Sequence, residues 1–136
     1  VIREDYGEIR DTIKAMNATR FVIDPLSTFN IIVKDLFDRK MSLLRFCEWL
    51  RRNNCTSLMT SETEKQGVYS EYGFEEFVVD TVIVLYNIQI KNIRQNALEI
   101  LKMRGSKHSK KIVPFTFEKG VKVTPDEKMF WVVEGH

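Results

Sequence analysis

Three consecutive apolar residues, Phe21-Val22-Ile23, stopped by Asp24-Pro25, constrain the fold of this chain more than any other stretch. The run is too short for a helix, and the sequence on either side of it has helical periodicity. A short apolar strand enclosed by helices suits a fully buried strand of a parallel sheet. Pro25 disfavours helical backbone at the preceding residue, so Asp24 is expected to be extended. That places the Asp24 carboxyl at the end of a strand, at the rim where open α/β sheets bind ligands.

The flanking segments agree with this reading. Residues 3–17 put Ile9, Ile13 and Met16 at helical spacing, with Glu4, Asp5 and Glu8 near the amino end, where the helix dipole favours acids. Asn17-Ala18-Thr19-Arg20 breaks that helix. Ser27 to Asn30 is a loop or a helix start. A long amphipathic helix is predicted over residues 34–53, with Leu36, Phe37, Met41, Leu44, Cys47 and Leu50 as its apolar stripe. Thr56 to Thr60 reads as a second short strand with Ser61-Glu62 at its end, and the polar residues 63–73 as a mobile surface loop. Phe74 to Phe77 suggests a helical turn, and Val78 to Asn87 a strand rich in Val and Ile. Asn92 to Asn96 reads as a turn region leading into a strand that carries the apolar run Ala97 to Leu101 and ends at Lys102–Arg104. Ile112 to Phe117 and Val121 to Val123 form a hairpin through Glu118-Lys119-Gly120, with Pro114 marking an edge strand. The order implies an α/β fold with a mixed sheet. Its first part is parallel with right-handed crossovers, and its later hairpins are antiparallel.

Composition narrows the function classes. A length of 136 residues suits one domain, with residues 125–136 as a tail in which Phe130 and Trp131 are candidates to pack back. The longest apolar run, Val82 to Tyr86, is far too short for a membrane span. Cys47 and Cys55 make neither a metal knuckle nor a redox pair, and read as free thiols in a reducing, cytoplasmic compartment. With only His108 and His136, a histidine metal site or a Ser-His-Asp triad is nearly excluded. A formal net charge of +2 argues against a dedicated duplex-DNA binder, and Asp35, Asp38 and Glu48 interrupt the basic residues of the long helix. The first residue is Val, no signal-peptide pattern follows, and the chain is expected to begin inside a longer one.

The charge is unevenly placed. Residues 102–111 carry Lys102, Arg104, Lys107, Lys110 and Lys111 and no acid. Without those five the chain holds 16 basic against 19 acidic residues. Lys102 and Arg104 are two apart, so within a strand they share a face, with bases roughly 6.6 Å apart. Such a pair grips neighbouring phosphates, Arg as a planar fork and Lys as a point charge. Gly105 then permits a sharp turn. From charge alone, a solvated basic turn between two strands is the favoured reading. Asp24, at a strand end, is a candidate holder of Mg2+ through water, or merely a helix cap. Glu62 reads as a loop acid, and Asp80 as a structural hydrogen-bonder inside a strand.

Taken together, these segments resemble a known family. Phe21-Val22-Ile23-Asp24-Pro25-Leu26-Ser27 is similar to the Walker B strand of RecA-like ATPases. Residues 72–80, and above all the run Lys102-Met103-Arg104-Gly105-Ser106-Lys107-His108, resemble KaiC and the archaeal KaiC-like ATPases. The resemblance extends from about residue 5 to residue 124. It implies a RecA-like fold, ATP and Mg2+ as ligands, and a homo-oligomeric ring of the hexameric kind with ATP between subunits. It further implies that Asp24 positions Mg2+ and water in the chain's own site. Lys102, Arg104, Ser106 and His108 would reach the nucleotide of the next subunit, with Lys102 and Arg104 stabilising charge on its terminal phosphate.

Two departures accompany the resemblance. No G-x-x-x-x-G-K-[ST] occurs, so the chain resembles the C-terminal half of a KaiC-like domain and is not expected to hydrolyse ATP alone. The adjacent Ser-Thr autophosphorylation pair of clock-type members aligns with Glu76-Phe77. A non-catalytic assembly module is the alternative reading. A DNA-binding recombinase relative has least support, because the basic residues lack aromatic interleaving.

Overall fold

The computed structural model describes residues 6–27, 35–63, 69–71 and 73–126, leaving out the side chain of residue 90. The expected tail packing of Phe130 and Trp131, and most of the expected loop over 63–73, lie outside the described residues. The chain divides into two compact units, Val1–Val79 and Asp80–His136.

The first unit is α/β. Helix α1 (Gly7–Ala15) buries Ile13. Asn17 turns left-handed at φ +50°, and Ala18 donates back to the Ile13 carbonyl at 3.0 Å, which closes the helix. Met16 therefore lies past the last helical turn and is exposed, not part of the apolar stripe. Strand β1 (Arg20–Ile23) pairs in parallel with β2 (Thr56–Met59), in the register Arg20↔Thr56 to Ile23↔Met59. Parallel pairing needs a long crossover, and helix α2 (Leu36–Arg52) lies in it. Asp35 caps α2: its Oδ1 accepts from the Phe37 and Asp38 N–H groups at 2.9 and 3.1 Å.

The buried stripe of α2 is Leu43, Phe46, Cys47 and Leu50. The expected stripe was out of phase at its amino end, since Leu36 and Phe37 are exposed. Alternate apolar residues on both sides of a helix leave the phase undecided until a partner is known, and here the partners are aromatic. Phe46 is wholly buried, stacked on Tyr6 at 4.4 Å and meeting Phe21 edge-on at 5.6 Å. Strand β1 is not fully buried as expected: Ile23 faces the core, while Val22 and its register partner Leu58 are about 60% exposed. The short helix α3 (Glu75–Val78) ends this unit, with Arg51 Nη2 donating to the Val78 carbonyl at 2.8 Å. Ser70, within the stretch expected to be a surface loop, is buried and donates to Glu76.

The second unit is an antiparallel sheet in the order β3-β4-β5-β6. Strands β3 (Thr81–Ile90) and β4 (Ile93–Met103) are joined directly at Lys91-Asn92, and Lys91 takes φ +54°. The expected start of β3 at Val78 is corrected, because Val78 closes α3. The expected turn over Asn92 to Asn96 is corrected too. Asn96 and Arg94 are paired into the ladder opposite Asn87 and Gln89, and their side chains hydrogen-bond across it. Strand β5 (Val113–Phe117) continues into β6 (Val121–Val123) through the expected turn, where Gly120 takes φ +129°.

Pro114 does not mark an edge. It is buried on an internal strand opposite Ala97, and its carbonyl accepts the Thr124 N–H at 2.9 Å. The placement is tolerated because β4 and β5 pair only at Ala97↔Pro114 and Leu98↔Val113, so the missing N–H falls at the end of a short ladder. One face of this sheet stays apolar and open: Ile83, Leu85, Phe117, Val121 and Val123 are all exposed. Among the described residues no helix is long and apolar enough to cross a membrane.

Candidate functional site

The Asp24 end of β1 is built by hydrogen bonds to β2. Thr60 N–H donates to the Ile23 carbonyl at 3.0 Å, and Leu26 N–H donates to the Thr60 carbonyl at 2.7 Å. The Thr60 hydroxyl donates to Asp24 Oδ1. Three bonds from one residue thus lock the strand end, and the Asp24–Pro25 peptide is cis. The Asp24 carboxylate is exposed, as expected for a strand rim. The sequence places Thr60-Ser61-Glu62 at a strand end on the same edge as Asp24, and the fold adds the hydrogen bond that joins Thr60 to it. Thr60 lies 36 residues from Asp24, and the parallel register brings the two together. Glu62 is exposed nearby in sequence. Among the described residues no cluster of three or more His, Cys, Asp or Glu stands ready to hold a metal ion. A lone exposed carboxylate still suits Mg2+, which keeps several waters and takes one or two carboxylates together with phosphate oxygens.

The cationic stretch sits at the other end of the β3–β4 hairpin from the Lys91-Asn92 turn. Here the ladder shifts register between Val82 and Ile83: Ile83 pairs with Ile100, but Val82 pairs with Lys102. Leu101 is the extra residue. Such a bulge reverses the alternation, so Lys102 shares the face of Val82, Val84 and the Tyr86–Glu99 hydrogen bond, not that of Ile100. Strand β4 ends at Met103, which corrects the expectation that Lys102 and Arg104 project from one strand face.

Arg104 belongs to the turn that follows. Its N–H donates to the Asp80 carbonyl at 2.9 Å, and its Nη1 meets Asp80 Oδ1 at 3.2 Å. Both side chains are about half exposed, at 52% and 53%. Asp80 precedes β3 and is not within it, although it does bond structurally as expected. Gly105 at φ +71° makes the sharp turn that its sequence position suggested.

Ser106 and His108 follow on the exposed turn. His108 Nδ1 lies 3.4 Å from the Ser106 carbonyl, and Lys110 Nζ lies 3.1 Å from His108 Nε2. The turn can present cations and donor hydroxyls to an anion. Asp24 lies in the first unit, and Lys102, Arg104, Ser106 and His108 lie in the second.

Comparison with known proteins bears directly on this arrangement. A family model described as "ATPase: KaiC" matches residues 2–128. The circadian clock protein KaiC3 of Synechocystis sp. is 34% identical over 122 residues, covering 88% of this chain and 24% of that protein. The circadian clock oscillator protein KaiC of Synechococcus elongatus is 39% identical over 88 residues, covering 63% of this chain and 17% of that protein. A crystal structure of a KaiC-like protein from the hyperthermophilic archaeon Pyrococcus horikoshii OT3 superposes with a TM-score of 0.74 at 32% identity. It covers 87% of this chain and 54% of that one. The chain thus spans about a quarter or less of the clock relatives and about half of the archaeal protein. With its parallel strand pair ending in Asp24, its antiparallel hairpins and its Lys-Met-Arg-Gly-Ser turn, this chain belongs to the KaiC family of RecA-like ATPases.

Proposed function

We propose that residues 1–124 are the C-terminal portion of an ATP-hydrolysing KaiC-type domain that works in a homo-oligomeric ring, of the hexameric kind, in the cytoplasm. Asp24 holds Mg2+ through water on the chain's own nucleotide. Lys102, Arg104, Ser106 and His108 meet the ATP of a neighbouring protomer. Bound Mg2+ neutralises phosphate charge. The chain's own residues orient and stabilise: Thr60 fixes one Asp24 oxygen, and Lys102 and Arg104 offset charge that develops on the terminal phosphate.

The observation that carries this reading is the half-exposed Arg104 guanidinium on a turn anchored to the sheet by its own N–H. A side chain placed to reach a ligand outside its own unit has this form. The sequence contains no G-x-x-x-x-G-K-[ST] loop to cradle phosphates, so the expected affinity of the chain for MgATP is weak and salt-sensitive. Calorimetric titration of MgATP onto wild type and Arg104→Ala tests it. The variant should weaken binding several-fold. Tight binding by wild type, or no change in the variant, overturns the in-trans role.

One observation favours a second reading, a RecA-like assembly module without catalysis: the open apolar face of the β3–β6 sheet. Large exposed apolar patches mark protein–protein contacts. Nucleic acid and membrane are not among the proposed partners.

A further inference from the structure

We propose that Asp80 is the resting counter-ion of Arg104, which an incoming polyphosphate must displace before it is gripped. The inference rests on the reading that the turn after β4 meets a phosphate chain. Within residues 102–111 there is no acid at all, yet the fold brings one in from 24 residues away. Two bonds tie the pair together. The Arg104 N–H to the Asp80 carbonyl fixes where the turn sits, and Nη1 to Oδ1 at 3.2 Å fixes where the guanidinium points.

The two bonds differ in what they do. The backbone bond survives any change of the Asp80 side chain, so the turn keeps its place. The side-chain bond occupies donors that a phosphate would use. Both partners are about half exposed, so the contact is screened and readily exchanged. A guanidinium that already holds one carboxylate yields to a ligand of greater charge density, because phosphate oxygens offer more charge and bidentate geometry. Asp80 thereby makes the turn selective: triphosphate displaces it more effectively than a singly or doubly charged anion. In the absence of ligand it also keeps Arg104 from recruiting other anions.

Calorimetry on the 136-residue chain at low salt, with inorganic tripolyphosphate and orthophosphate as probes, tests the proposal. Asp80→Asn keeps the backbone carbonyl and the side-chain shape but removes the charge. It should tighten tripolyphosphate binding about three- to fivefold, in keeping with the modest strength of exposed pairs. It should also narrow the preference for tripolyphosphate over orthophosphate. In an Arg104→Ala background the same change should give no gain, since the two residues act as one pair.

Glu118→Gln is the control for net charge. It removes an acid in the same unit whose partner, at 3.1 Å, is Lys122 outside the cationic stretch, and it should leave affinity unchanged. Several results overturn the proposal: no gain in Asp80→Asn, an equal gain in Glu118→Gln, or a gain that persists without Arg104. If Arg104→Ala binds tripolyphosphate as wild type does, the phosphate-gripping role of the turn fails with it. If Arg104→Ala weakens binding and Asp80→Asn does nothing, only the counter-ion role is lost.

Discussion

Replacing Phe46 with alanine removes the side chain around which the first unit is packed. Phe46 is wholly inaccessible, stacks on Tyr6 at 4.4 Å, meets Phe21 edge-on at 5.6 Å and lies parallel to Trp49 at 6.4 Å. Burying and then deleting a phenyl ring costs about 3–5 kcal/mol, because transfer energy and residual cavity add. Three aromatic neighbours push the value to the upper end, since each such pair contributes about 0.5–1.5 kcal/mol beyond area. Rings cannot collapse into a void as flexible side chains do. A loss of about 4 kcal/mol, at a urea slope of about 1.5 kcal/mol per molar, shifts the midpoint by roughly 2–3 M.

Urea titration followed by indole fluorescence measures this, with Trp131→Phe leaving Trp49 as the reporter beside the lesion. Phe46→Leu keeps most of the volume and should cost far less. A loss below about 1 kcal/mol for Phe46→Ala, with an unchanged slope, refutes the packing account. It would mean that the helices and β1 are held by something other than this aromatic cluster. The consequence reaches the site, because Phe21 of β1 meets Phe46 edge-on, three positions before Asp24.

Two further outcomes are expected. Burial pushes the Cys55 thiol up from its ordinary range, since the low-dielectric surroundings disfavour the thiolate. Alkylation at pH 8 should therefore be slow until the chain unfolds. Because the raised group favours the protonated state in the fold, stability is full below the ordinary thiol range and falls as pH rises through it; Cys55→Ala should remove that decline. The open apolar face with Ile83, Leu85 and Phe117 should drive self-association, so sedimentation should show species larger than a monomer that Leu85→Ser reduces. A clean monomer at high concentration would count against an assembly role for that face.

Much of the architecture was legible from local chemistry. Phe21-Val22-Ile23 before Asp24-Pro25 marked a parallel strand end, and Thr56 to Met59 supplied its partner. Gly105 and Gly120 lay where turns were expected, and both take positive φ. The cationic turn stood out because ten residues without an acid is a property of sequence alone. Such features depend on backbone sterics, periodicity and composition, which each residue carries wherever the chain goes.

The rest required partners that no local pattern names. The phase of α2 was set by Tyr6 and Phe21, residues from other elements that choose Phe46 over Phe37. The bulge at Leu101 re-aimed Lys102, and only the pairing with β3 reveals it. Asp24 gained Thr60 across 36 residues, and Arg104 gained Asp80 across 24. Chain chemistry decides which groups are charged, stiff or apolar. Strand register and packing decide which of them stand within hydrogen-bond distance, because contacts between distant residues exist only once the sheet has closed.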